Sequence, residues 1–106
     1  MTRTAYCNRE LCEMLDKAGI DAQHVIAFEN ESWYKKYTLD VAMRWLREEK
    51  KIAIQSFLLS QGWCCEIERI MEDFCKEYIE ATSNYMTYEK AIEAAIKYCL
   101  ENLINN

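Results

Sequence analysis

The chain has 106 residues, 51% hydrophobic and 29% charged, with no proline and two glycines; this balance excludes a disordered chain and fits a domain with one core. A net charge of −5 excludes broad binding to nucleic acid or anionic membrane, which needs a basic surface that displaces counterions or meets lipid phosphates. No apolar run reaches the roughly eighteen residues of a membrane span, and Met1-Thr2-Arg3-Thr4-Ala5-Tyr6-Cys7 lacks the apolar core of a secretory signal. The expectation is a single cytoplasmic domain over residues 1–106, with Cys7, Cys12, Cys64, Cys65, Cys75 and Cys99 as free thiols.

Asn8 is a good N-cap, and Leu11, Met14, Leu15 and Ala18 follow at helical spacing before Gly19, so a short helix is predicted there. His24-Val25-Ile26-Ala27-Phe28 reads as a brief strand or a buried connection. A polar, aromatic stretch around Trp33, Tyr34 and Tyr37 comes next. Thr38 then caps a second helix with the stripe Leu39, Ala42, Met43 and Leu46, which stops near Lys50 and Lys51, where cations suit the negative end of the helix dipole.

Residues 52–59 read as a strand. Ser60-Gln61-Gly62 marks a turn, and residues 63–70 return as a second strand with Trp63, Cys65 and Ile67 alternating against Glu66 and Glu68. A competing pattern runs through Ile67, Ile70, Met71, Phe74, Cys75, Tyr78 and Ile79, which also fits an amphipathic helix. Thr87 caps a C-terminal helix of about four turns, whose broad apolar face runs from Tyr88 to Ile104 and must cover a sheet or other helices.

The strings Tyr37-Thr38-Leu39-Asp40-Val41-Ala42-Met43-Arg44-Trp45-Leu46-Arg47-Glu48 and Tyr88-Glu89-Lys90-Ala91-Ile92-Glu93-Ala94-Ala95-Ile96-Lys97-Tyr98-Cys99-Leu100 resemble the paired signatures of small uncharacterised proteins encoded by phages and mobile elements of gut bacteria. The resemblance implies a strand hairpin between the two helices and tips residues 67–82 towards strand. It implies a small accessory protein that contacts a host factor or a signalling molecule, and it transfers no functional residue to any position.

The candidate chemistry is sparse. Structural zinc sites draw on pairs of closely spaced cysteines, whereas Cys7 and Cys12 are five apart and the adjacent Cys64 and Cys65 point to opposite faces of a strand. Buried thiols acting as small apolar groups are therefore expected, and no metal or cofactor. His24 is the only histidine and reads as a strand-edge or satisfied residue rather than a catalytic base. Glu66 with Glu68, and Glu29 with Glu31, are placed as neighbours on solvated strand faces rather than as an acid and base pair.

The charge is uneven. Residues 33–51 carry six basic and three acidic side chains, while residues 52–106 carry four basic and nine acidic. Arg44, Arg47 and Lys51 fall at helical spacing, with Trp33, Tyr34, Lys35 and Lys36 just upstream, so cations and aromatic rings can share a binding surface. The sequence reads as an α+β protein, a small antiparallel sheet with helices on one face, with an all-α fold as the alternative. Its expected role is non-enzymatic binding of a protein partner. The alternatives are a nucleotide-like small-molecule ligand, held in a homo-oligomer if one short chain cannot enclose it, and a small enzyme.

Overall fold

The computed structural model describes residues 5–72 and 76–104. Helix α1 spans Arg9–Lys17, and its start is fixed by Asn8, whose side-chain oxygen accepts the Leu11 N–H at 2.8 Å. Its end is a Schellman motif: the Gly19 N–H reaches the Asp16 carbonyl, the Ile20 N–H reaches the Leu15 carbonyl, and Gly19 takes φ +93°. Leu11, Cys12 and Leu15 carry the helix into the core.

Strands β1, Val25–Glu29, and β2, Ser32–Lys36, pair antiparallel as a separate two-stranded sheet. Asn30 and Glu31 between them both have positive φ, 51° and 64°, as a primed two-residue hairpin turn requires. Helix α2, Leu39–Glu49, begins at Thr38, which accepts the Val41 N–H at 3.1 Å. No glycine ends it. Lys51 takes the left-handed conformation at φ 58°, and its Nζ donates back to the Glu48 carbonyl at 3.1 Å.

Strands β3, Ile52–Leu59, β4, Gly62–Ile70, and β5, Lys76–Tyr85, form the main antiparallel sheet in the order β3-β4-β5. Helix α3, Tyr88–Cys99, starts at Thr87 and continues into a π-helical turn, Leu100–Ile104. It lies against all three strands and touches both other helices. Its buried residues, Ala91, Ile92, Ala95, Ile96 and Cys99, meet Cys65 and Ile67 of β4 in one core together with Leu15 and Leu46.

The fold is α+β with antiparallel sheets, so the all-α alternative is set aside. Residues 67–70 and 76–82 are strand, not helix. Ile67 and Ile79 do face the core, but from paired strands rather than from one helix. Their helical spacing misleads because register shifts between β4 and β5 break the two-residue alternation. Phe74 and Cys75 lie outside the described residues.

Of the two readings of the segment at Val25–Phe28, the brief strand holds, with Val25, Ile26 and Phe28 exposed. One smaller expectation is corrected. Glu29 and Glu31 do not share a strand face, because Glu31 sits in the turn.

Candidate partner-binding surfaces

Strand β2 holds four of the seven residues expected to form a basic, aromatic surface, and the hairpin register separates them. Tyr34 and Lys36 share one face with Val25 and Ala27, whereas Trp33 and Lys35 share the other with Ile26 and Phe28. The Tyr34 face is tied to the body of the protein. Arg9 of α1 stacks over the Tyr34 ring at 4.6 Å and donates to the Glu29 carbonyl and the Ser32 hydroxyl, while the Tyr34 hydroxyl donates to Glu29 Oε2 at 3.1 Å. Burial and the neighbouring Glu29 carboxylate raise the Tyr34 pKa, keeping the phenol protonated and able to donate.

The other face is open. Ile26, Phe28 and Trp33 are 58%, 57% and 68% exposed, and the Phe28 and Trp33 rings meet across the strands at 4.8 Å. A cross-strand aromatic pair helps hold the hairpin together, yet most of its apolar area still meets water.

The cations divide by whether they already have work to do. Lys35 pairs with Asp16 at 3.7 Å, Lys36 lies 5.0 Å from the Tyr6 ring, and Lys51 caps α2. Arg44 and Arg47 are exposed, and among the described residues neither is in an ion pair. Both line a groove of about 550 Å³ with Asp40 and Met43 of α2, Ala53, Ile54, Gln55 and Ser56 of β3, Ile70 of β4, and Tyr88 and Ile92 of α3. The expected single patch is thus two surfaces, an apolar hairpin face bearing Trp33 and a groove bearing Arg44 and Arg47. The sequence reading missed the groove's other walls, because β3 and α3 are joined to α2 only by folding.

The thiols and the histidine occupy other environments. Cys7, Cys12, Cys65 and Cys99 are buried, while Cys64, on the opposite strand face from Cys65, is half-buried. The Cys12 thiol donates to the Cys7 carbonyl at 3.5 Å, and the side-chain hydrogen bond between the two thiols, reinforced by burial, pushes the Cys7 pKa far up. His24 is exposed, with its ring 5.5 Å from that of Tyr37 and Nδ1 3.0 Å from the Ala22 carbonyl oxygen. Among the described residues, no group of three His, Cys, Asp or Glu side chains is placed to hold a metal ion. No helix among them is long and apolar enough to cross a membrane.

Comparison of the chain with protein families, with curated proteins and with solved structures finds no match.

Proposed function

We infer that this chain is a non-enzymatic binding module, a cytoplasmic accessory protein of a phage or mobile element, and that it contacts a host protein through the Ile26, Phe28 and Trp33 face of the β1–β2 hairpin. One observation carries this reading: three large apolar side chains, each more than half exposed, stand together on one face of a small sheet. Covering a side chain of this size is worth about 1.5–3 kcal/mol, and clustered exposed apolar groups mark interaction surfaces. Tryptophan dominates such contacts because it offers the largest apolar area at low entropic cost. Lys35 at the edge of the face supplies a polar rim. The phage or mobile-element context rests on the two helix strings, which occupy α2 and α3.

The test is native mass spectrometry of gently purified protein, followed by affinity measurement with the partner it reveals. Trp33→Ala and Phe28→Ser are expected to weaken that complex about tenfold or more each, with circular dichroism unchanged. Undiminished affinity in both variants sinks the assignment of this face. A homodimer that dissociates in either variant assigns the face to self-association instead.

A further inference from the structure

The groove between α2 and β3 has a geometry that the sequence does not display. Asp40, Met43, Arg44 and Arg47 fall at i, i+3, i+4 and i+7, so they form one face of α2 along its length. Opposite them are four consecutive residues of β3, Ala53 to Ser56. Successive strand residues point to opposite faces, so a groove lined by all four reaches the edge of the strand, and Ile70 of β4 with Tyr88 and Ile92 of α3 close it on the side that α3 covers.

That edge is open. β3 is the outermost strand of its sheet, with β4 on one side only. Apart from this pairing, no backbone hydrogen bond among the described residues involves Ile52–Leu59. The eight residues Ile-Ala-Ile-Gln-Ser-Phe-Leu-Leu carry no charge and no proline, the usual devices that keep a sheet edge from pairing with another chain. The cations come instead from the facing helix, in a protein whose net charge is −5.

We propose that the outer edge of β3 takes up an extended acidic segment of a partner protein as an added strand, its carboxylates met by Arg44 and Arg47. Main-chain hydrogen bonds to the free edge give the affinity, and alternate side chains of the segment give the specificity. The half-buried side chains of Met43 and Ile54 line the groove and take the apolar residues that alternate with the acidic ones. A second copy of the chain is the poorer occupant, because it brings the same two arginines to a groove that already holds a pair. The inference rests on the binding-module reading but uses no residue of the hairpin face, so each stands or falls by its own experiment.

The probe is a fluorescein-labelled, end-capped heptapeptide alternating valine and glutamate, read by anisotropy against the full chain. Saturable binding is expected, weakened about tenfold by Arg44→Glu or Arg47→Glu and by replacing the probe's glutamates with lysine. N-methylating alternate amides of the probe gives two peptides. A strand at a sheet edge bonds through every second residue, so one methylated peptide loses binding and the other keeps it. No saturable binding overturns the proposal, and so does equal binding of the parent and both methylated peptides. Adenosine monophosphate binding that Arg44→Glu removes, with no peptide binding, assigns the groove to a small anion instead.

Discussion

The indole of Trp63 stands edge-on to the Tyr88 ring, 5.5 Å between centroids and 78° between planes. This contact fastens the first turn of α3 to the start of β4, and Tyr88 also lines the α2–β3 groove together with Ser56 of β3. A double-mutant cycle with Trp63→Leu and Tyr88→Leu, read by urea unfolding, should return a coupling energy of about 0.5–1.5 kcal/mol. A coupling of zero would mean that the rings are neighbours without being partners.

The two glycines predict different costs for the same substitution. Gly62 has φ +134°, and an added Cβ would lie 2.8 Å from the Tyr85 carbonyl oxygen of β5. Gly62→Ala must therefore move backbone as well as strain it, at about 2–4 kcal/mol. Gly19 has φ +93° with nothing within 4 Å of the added atom. Gly19→Ala is expected to cost only the conformational penalty, about 1–2 kcal/mol. Equal losses in urea titrations would contradict the steric account of Gly62.

Glu31 and Lys51 hold left-handed conformations, φ 64° and 58°, that favour glycine. Glu31→Gly is expected to raise stability by about 0.5–1 kcal/mol, because it relieves the second position of the β1–β2 turn. Lys51→Gly relieves the same strain but loses the hydrogen bond from Lys51 Nζ to the Glu48 carbonyl, so its gain should be smaller. Thermal unfolding of the two variants side by side ranks them.

Alkaline pH should destabilise the fold through its buried thiols. Burial pushes the Cys99 thiol up from 9.0 to about 12, so between these values the unfolded chain has released a proton that the folded chain retains. This contribution is whole below pH 9.0 and is lost as pH rises towards 12, at about 1.4 kcal/mol per pH unit. Cys99→Ala should flatten the fall in stability over that window relative to the parent chain. Parallel curves for the two proteins would show that Cys99 ionises as freely in the fold as outside it.

The elements that were legible in the sequence are those whose signals are local. Asn8, Thr38 and Thr87 cap the helices they were expected to cap, and the β3–β4 hairpin turns at Ser60-Gln61 as the residues indicated. Strand β2 was not legible, because Trp33 and Tyr34 alternate with neither a clear apolar nor a clear polar partner and because Glu31 occupies the place where a glycine would have announced the turn. The basic set was legible as residues but not as a surface. Lys35, Lys36 and Lys51 are engaged by groups far along the chain or by a helix end, which leaves Arg44 and Arg47 facing a strand edge.

By itself the sequence determined where helices start, which helix faces leave water and that the protein is acidic, because capping, hydrophobic spacing and charge are carried by residues a few positions apart. Only the tertiary structure decided that Ile67 and Ile79 belong to two paired strands, that one face of the β1–β2 hairpin stays open, and that β3 lies at the edge of its sheet. Each of these depends on backbone groups and side chains meeting across long stretches of chain, and periodicity records that a residue is buried without recording what it is buried against.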